Sequence, residues 1–349
     1  MKAAFFRSPY NLEIVDDAIP EVGKDEVLIR VKYVGLCGTD LDIYENKAHF
    51  EVKYPTIGGH EFTGIVEKTG ENVNCIKVGD RIVGDALVSC GKCVNCTSGD
   101  FYRCKFLKSV GTSWPFHYGA FREFTVMPER HVFKIPEGLP MLEATLTEPS
   151  VIARASMEKI SINAGDVVLV AGTGAIGMFS AQYSKLKGAG MVILTGRNDI
   201  KLQIAKKTGI DFVINIKKED LNKKLYEITE GRPINVCVEA SGNIEALEQL
   251  INLAGRSCRL TVPGSYHEKF KEMDFGLLAS KDIIISVLGA LNRDDFQTML
   301  WLIKCGRIDT KSLITEIYDF DNLEEAIKLH LNPNNSIKTI IRVDKGPVE

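Results

Sequence analysis

Val167-Val168-Leu169-Val170-Ala171 is an unbroken apolar run that passes directly into Gly172-Thr173-Gly174-Ala175-Ile176-Gly177. A strand apolar at every position has no wet face, which is the pattern of a parallel strand covered on both sides. The glycines let the backbone approach a pyrophosphate. The helix that follows offers free amides and the positive end of its dipole. A lone G-x-G-x-x-G is a weak signal; strand, glycine loop, helix and strand in that order make it a specific one. The pattern predicts a helix over 175–187 and strands at 191–195, 212–215, 234–239, 257–262 and 283–288, giving a six-stranded doubly wound parallel sheet. Gly172, Gly174, Ala175, Ile176 and Gly177 are the cofactor-binding candidates of the loop.

In an NAD site, a carboxylate about 20 residues past the loop accepts the ribose 2′-hydroxyl. Here that place holds Thr195, Gly196, Arg197 and Asn198, and the first acid, Asp199, suits the cap of the next helix. Gly196 clears room, Arg197 offers a planar cation to a phosphate, and Lys201 stands one helical turn on. The expectation is NADP, with NAD as the alternative.

The first part of the chain has another texture. Val27–Val34, Gly64–Gly70, Gly79–Val83 and the stretch 119–135 are short β-rich runs between turns, as in a compact β-barrel-like domain. Cys37-Gly38-Thr39-Asp40 and Gly58-Gly59-His60-Glu61 fall on loops at its rim. A lone cysteine is more often a small buried hydrophobe. Cys37, His60 and Glu61 together are a mixed ligand set that suits zinc, and three protein ligands leave one position open. Cys90, Cys93, Cys96 and Cys104 then follow with C-x2-C-x2-C-x7-C spacing. Four thiolates this dense can close around one tetrahedral ion. An iron–sulfur cluster also takes four cysteines; ligand type and the short loop favour zinc. Clustering among nine cysteines points to metal rather than to a disulfide framework, and so to a reducing, cytoplasmic setting.

Glu148-Pro149 stands where the barrel texture ends. Beyond the sheet, an amphipathic helix carries Phe296, Met299, Leu300 and Ile303, a second helix begins at Leu323, and Ile337–Val343 reads as a final strand. This tail is too short to fold alone. The expected organisation is therefore a catalytic domain over 1–151 with a metal lobe at 88–110, a dinucleotide domain over 152–290, and a segment 291–349 returning to the first. Lys plus Arg number 43 against 46 Asp plus Glu, a balance that gives no electrostatic reason for nucleic acid or an anionic membrane as partner. No apolar run approaches the ~20 residues of a membrane span, and Met1–Arg7 reads as a strand rather than a signal peptide.

In this order, Cys37-Gly-Thr-Asp, Gly-His60-Glu61, the cysteine knuckle, Glu148-Pro149 and Gly172-x-Gly-x-x-Gly177 resemble the zinc-dependent medium-chain alcohol dehydrogenases over essentially the whole chain. The His-Glu pair and Glu148-Pro149 make it most similar to their sorbitol (polyol) and threonine dehydrogenase branch. The resemblance implies a GroES-like β-barrel catalytic domain and a Rossmann domain. It implies hydride transfer between a secondary alcohol, most simply a polyol, and NAD(P), aided by zinc as Lewis acid. Cys37 and His60 would hold the catalytic zinc, Glu61 would ligate it or exchange with water, and Glu148 would hold the water or bind the metal directly. Thr39 would relay the substrate proton. Cys90, Cys93, Cys96 and Cys104 would hold a structural zinc.

Two departures stand out: Asp42 occupies a place where many relatives carry histidine, and the acid beyond the glycine loop is missing. Arg293 is a further cofactor-binding candidate, and Trp114, Phe116 and His117 are candidates for the pocket wall. The apolar run Asp282–Leu288, at the edge of the sheet, predicts pairing with a second copy into a dimer or a dimer of dimers. The competing readings are an L-threonine or vicinal-diol dehydrogenase, a non-catalytic nucleotide-binding member of the fold, and a zinc-ribbon interaction protein. The intact ligand set and the Rossmann half weigh against the last two.

Overall fold

β1 (Lys2–Ser8) and β2 (Asn11–Asp16) form an antiparallel hairpin, and β3 (Glu26–Gly35) then becomes the spine of the first half of the chain. In this computed structural model the described residues are 1–112, 119–267, 272–287, 291–331, 336–344 and 346. Trp114, Phe116, His117 and Leu288 lie outside them. The chain divides into two units, one of residues 1–148, 292–305 and 314–349, the other of 149–291 and 306–313.

In the first unit β3 leads into a short helix, α1 (Gly38–Glu45), and pairs antiparallel with β4 (Glu61–Thr69). β5 (Arg81–Gly84) follows β4 in the sheet, and a two-stranded ribbon of β6 (Leu87–Val88) and β7 (Lys108–Ser109) flanks the short helix α2 (Val94–Thr97). β8 (Phe124–Pro128) pairs with β3, and β9 (Val132–Lys134) with β5. Val27, Ile29 and Val31 alternate along β3 and are fully buried against Phe6, Phe62 and Phe121, as one wet and one dry face require. The β3–β4 register slips twice, and Gly35 then stands opposite Glu61. This one pairing brings Cys37, two residues past β3, beside His60, one residue before β4.

After α3 (Met141–Ala144), α4 (Thr147–Glu158) starts with Glu148 in its first turn, and the division between the units falls just after it. The second unit holds β10 (Val167–Ala171), α5 (Ala175–Leu186), β11 (Met191–Gly196), α6 (Asp199–Lys207), β12 (Phe212–Asn215), α7 (Leu221–Thr229), β13 (Ile234–Glu239), α8 (Ile244–Leu253), β14 (Ala254–Val262), α9 (Phe275–Lys281) and β15 (Ile284–Val287). Its sheet runs β12-β11-β10-β13-β14-β15 with every neighbour parallel, the doubly wound arrangement expected from the sequence. The order reverses between β10 and β13, so the ligand crevice of such a sheet lies off the carboxyl ends of those two strands.

β14 starts at Ala254 rather than at 257. Its first half is polar and irregular: Ser257 has a positive φ of 56°, and the register with β13 slips between Ile234 and Val236. Strand periodicity cannot see a strand interrupted this way.

The tail supplies α10 (Arg293–Lys304), whose Phe296, Met299, Leu300 and Ile303 are buried, with Phe296 stacked on Phe133 at 4.3 Å between centroids. The stretch 306–313 counts with the second unit, where Asp309 exchanges two hydrogen bonds with Gln182. β16 (Ile314–Asp319), α11 (Leu323–Leu331) and β17 (Lys338–Arg342) complete the first unit. β17 lies antiparallel on β3, Ile340 opposite Gly35.

Packing around Phe62 offers a direct test. A β-carbon at Gly84 would lie 2.1–2.3 Å from the Phe62 ring, which is fully buried. Gly84→Val should cost at least about 1–3 kcal/mol of stability from overpacking, read as a lower denaturation midpoint; an unchanged midpoint would contradict this packing.

Candidate active site

Cys37 N–H donates to Asp40 Oδ2 at 3.0 Å, closing a capping box at the start of α1, and Gly59 N–H donates to Asp40 Oδ1 at 2.9 Å. One buried carboxylate thus ties the cysteine loop to the bend that carries His60. Gly59 sits at φ +81°, a turn that a side chain would strain. The outcome is that a sulfur of Cys37, a ring nitrogen of His60 and a carboxylate oxygen of Glu61 lie within 4.8 Å of one another. His60, Glu61 and Glu148 are all buried. A β-carbon at Gly35 would stand 2.3 Å from Glu61 Oε2, so a side chain there would push the carboxylate out of its place.

The residue that sequence reasoning missed is Lys338. It is buried on β17, with Nζ donating to Glu61 Oε1 at 2.7 Å and to the Leu36 carbonyl at 3.0 Å, and standing 2.6 Å from Glu61 Oε2. Thr39 is on α1, its hydroxyl 3.8 Å from Cys37 Sγ, and Asp42 is half-buried one turn further on.

The electrostatics of this pocket call for another positive charge. Burial, and then the charge of Glu61, pushes the Cys37 thiol up to about 12. Burial and the same neighbour push Glu148 up to about 8, and burial raises Asp40. Burial alone would discharge Lys338, yet Glu61 and the other acids around it outweigh that effect and its pKa is raised. One ammonium faces several acids. His60 Nδ1 is buried without a hydrogen bond among the described residues, and Glu61 Oε2 has the Lys338 ammonium beside it but no hydrogen bond. A buried ring nitrogen left unpaired is costly unless something fills the place. A divalent cation would satisfy that nitrogen, share the Glu61 carboxylate with Lys338 and reverse the upward shifts of the acids, so sulfur, nitrogen and oxygen here fit zinc.

A second cluster lies in the lobe around α2. The ligand atoms of Cys90, Cys93, Cys96 and Cys104 fall within 4.8 Å of each other, with sulfur separations of 3.5–3.9 Å where they touch. A tetrahedron with arms of ~2.3 Å has edges of roughly 3.8 Å, so the four thiols are spaced for zinc. Backbone amides donate to Cys90 and Cys104 sulfurs at 3.2–3.4 Å. Amides of Cys96 and Lys105 lower Cys93 to about 6, while burial lifts Cys104 to about 11.

The lobe is anchored by a buried relay that the sequence did not disclose. Ser89 N–H donates to His131 Nε2 at 2.9 Å, His131 Nδ1 stands 2.9 Å from Asp85 Oδ2, and the Tyr102 hydroxyl donates to that same oxygen at 2.6 Å. Because Nε2 accepts, the proton belongs on Nδ1. Ser89 is itself buried and held by Arg130, so this Asp-His-Ser row fixes structure and has no open face for a substrate.

In the second unit Gly172 adopts φ +118°, and a β-carbon there would stand 2.8–2.9 Å from Ala240 and the Ser241 amide. Gly174 caps α5 with open space beside it, Ala175 and Ile176 form the first turn, and Gly177 packs 2.1 Å (as a β-carbon) from the Gly172 carbonyl. A β-carbon at Gly196 would meet the Thr173 methyl at 2.3 Å. Asn198 accepts from Lys201 N–H as the cap of α6, and Asp199 is drawn to Lys218 and Asn215. Arg197 is exposed and has no hydrogen bond or ion pair among the described residues. Arg293 belongs to the first unit, where it donates to the Arg130 carbonyl at 2.8 Å and lies over the Phe133 ring.

The family model described as the alcohol dehydrogenase GroES-like domain matches residues 23–137, and the one described as zinc-binding dehydrogenase matches 175–304. A sorbitol dehydrogenase from Halalkalibacterium halodurans is 34% identical over 328 residues, 90% of this chain and 93% of the relative. The chain is a member of the zinc-dependent alcohol dehydrogenase family. It is therefore an oxidoreductase of a family that uses zinc and a nicotinamide cofactor.

An L-threonine 3-dehydrogenase from Pyrococcus abyssi is 35% identical over 92% of each chain. Among solved structures, RspB of Escherichia coli CFT073, complexed with NADH, is 30% identical with a TM-score of 0.88 over 98% of this chain and 99% of that one. A protein described as a zinc-binding dehydrogenase from Sinorhizobium meliloti, bound to NADP, is 26% identical with a TM-score of 0.87 over 98% and 99%. One of these two neighbours thus carries NADH and the other NADP.

Membership of this family makes the protonation of Cys37 measurable. A thiol held near 12 is protonated at neutral pH, and a metal that binds it must displace the proton. When zinc is returned to metal-stripped protein, wild type should release about one more proton per chain than Cys37→Ser, as read from binding enthalpies in buffers of different ionisation heat. Equal proton counts would remove Cys37 from the ligand set.

Proposed function

We propose that this protein oxidises a secondary hydroxyl of a polar, polyhydroxylated substrate to the ketone, with NADP as the preferred hydride acceptor. The observation that carries the reading is the cluster of half-buried Cys37 with buried His60 and Glu61, with the charge of Glu61 acting on buried Glu148 and Lys338 bonded to Glu61. When bound there, zinc supplies a Lewis acid that makes the substrate hydroxyl more acidic.

Everything else is the work of this chain's side chains. Cys37, His60 and Glu61 hold the metal and Glu148 supplies the fourth oxygen or the water beside it. Lys338 keeps the Glu61 carboxylate aimed. Thr39 takes the hydroxyl proton and passes it outward by way of Asp42. The C–H bond of the carbinol carbon breaks, its electron pair leaves as hydride for nicotinamide C4, and a carbonyl remains. Gly172, Gly174, Ala175, Ile176 and Gly177 bind the pyrophosphate through backbone amides at the start of α5. Gly196, Arg197 and Lys201 receive the 2′-phosphate. Cys90, Cys93, Cys96 and Cys104 hold a structural zinc that stabilises their lobe.

The carboxylates around the metal ligands make a more polar pocket than a thiolate-rich site, which suits a polyol better than an apolar alcohol. The sorbitol dehydrogenase relative supports that reading. The L-threonine 3-dehydrogenase relative supports L-threonine as the second reading. A panel of polyols, vicinal diols, L-threonine and simple alcohols, followed by cofactor absorbance, separates them. The largest kcat/KM should fall on a polyol or diol, and a better value for hexanol than for every polyhydroxylated compound would defeat the proposal.

The cofactor preference has its own test. A planar cation on a phosphate forms charge-assisted, bidentate hydrogen bonds, so Arg197→Ala should lower the NADP-to-NAD ratio of kcat/KM by about tenfold. A wild-type ratio well below one that the substitution leaves alone would remove Arg197 from the site.

The protein is also proposed to assemble through β15, the edge of the second unit's sheet, where Ile284 and Val287 are 61% and 68% exposed. An open apolar edge of this kind pairs readily with its own copy. Sedimentation equilibrium at micromolar concentration should return a dimer or a tetramer; a monomer would refute the assembly. All nine cysteines are free, which fits a reducing compartment such as the cytoplasm. No helix among the described residues is long and apolar enough to cross a membrane.

A further inference from the structure

At the carboxyl end of β13, next to the point where the strand order reverses, Glu239 is 0% exposed. Its Oε1 accepts the Ser241 N–H at 2.9 Å and the Ser241 hydroxyl. Its Oε2 accepts the Gly242 N–H at 3.1 Å and the Tyr266 hydroxyl at 2.5 Å. Its carbonyl accepts the Gly264 N–H at 3.1 Å. It has no ion pair among the described residues, so four oriented dipoles stand in for a counter-cation.

The loops gathered this way border the glycine loop. Ala240 N–H donates to the Ala171 carbonyl at 2.9 Å, and a β-carbon on Gly172 would strike Ala240 and Ser241 at 2.8–2.9 Å. A β-carbon on Gly264 would fall 2.8 Å from Glu239 Oε2. The carboxylate thus ties the 241–242 turn to the loop beyond β14, and Ala240, between that turn and β13, abuts the end of β10. A neutral residue cannot do the same. Four donors converge on two oxygens, and glutamine would turn one of those acceptors into an N–H group facing other donors.

We propose that Glu239 is a positioning residue for the dinucleotide: it sets where the 240–242 loop abuts Gly172 and so preorganises the crevice that receives the cofactor. The proposal rests on reading the Gly172–Gly177 loop as the dinucleotide site. The sheet does not need this network for its own cohesion, since its core of Leu169, Ile193, Cys237 and Leu260 is packed well inside the strands.

The test is equilibrium titration of the zinc-loaded protein with NADPH and with NADH, followed by cofactor fluorescence in the absence of alcohol. Glu239→Gln should raise Kd for the preferred dinucleotide by at least about tenfold, the loss expected when a buried donor goes unsatisfied. The KM for dinucleotide should rise in step while kcat at saturating cofactor changes much less. Zinc content should be unchanged. Leu225→Ala, a core change on α7 in the same unit, should lower the melting temperature and leave Kd alone. A Glu239→Gln protein that binds dinucleotide within twofold of wild type would overturn the proposal. So would a Kd loss matched by Leu225→Ala at equal loss of melting temperature, because the effect would then be mere destabilisation. Should Glu239→Gln fail to fold, Tyr266→Phe removes a single donor and decides instead: a Kd raised severalfold supports the role and an unchanged one sinks it. Wild type that binds neither dinucleotide would sink the glycine-loop reading itself, and this proposal with it.

Discussion

The Lys338–Glu61 ion pair is the contact on which the metal end of the first unit depends. Taking an ammonium and a carboxylate out of water costs several kcal/mol per ion, and their attraction offsets this only when the geometry is good and further hydrogen bonds are made. Here both conditions hold. Nζ stands within 2.7 Å of both carboxylate oxygens and also donates to the Leu36 carbonyl. That carbonyl belongs to the residue just before Cys37. The lysine therefore fixes the metal-side carboxylate and the cysteine loop together. Asp40 does the corresponding job for the cysteine loop and the His60 bend. Two buried charged groups hold the three candidate ligands in place.

The two cysteine-bearing clusters handle negative charge differently. In the knuckle, backbone amides point at the sulfurs and bring Cys93 down to about 6, while burial lifts Cys104 to about 11. At Cys37 burial and nearby acids raise the thiol. A cation would meet one cluster already partly prepared by backbone donors and another whose acids are left without enough positive charge.

Much of this was legible in the sequence. The strands at 212–215 and 234–239 have the boundaries that apolar patterning set for them, because each is flanked by sharp polar turns. Cys37, His60 and Glu61 come together because glycine-rich loops flank two strands that pair. What stayed hidden were partners brought in from far along the chain. Lys338 is 277 residues from Glu61, and no local pattern announces the pair. A faint signal existed: strand parity puts Lys338 on the same face as Ile340, which is fully buried, so a cation there had to find a buried acid. Asp85, Ser89 and His131 meet across the ends of different strands, and Glu239 looks like any strand-terminal acid until the loops beyond β10 and β14 are folded against it. Residues whose meaning is set by topology are silent in a single sequence.

The place of β17 in the sheet has a consequence for the order in which the fold closes. The knuckle's four sulfurs come from residues 90–104, and the buried row beside it draws on Asp85, Ser89, Tyr102 and His131. Glu61 has no such local support. Its ammonium lies 277 residues further along the chain, on a strand that must first pair with β3. Contacts that close a longer loop carry a larger entropic cost and form later. The knuckle's residues therefore meet before the Lys338–Glu61 pair completes the other cluster.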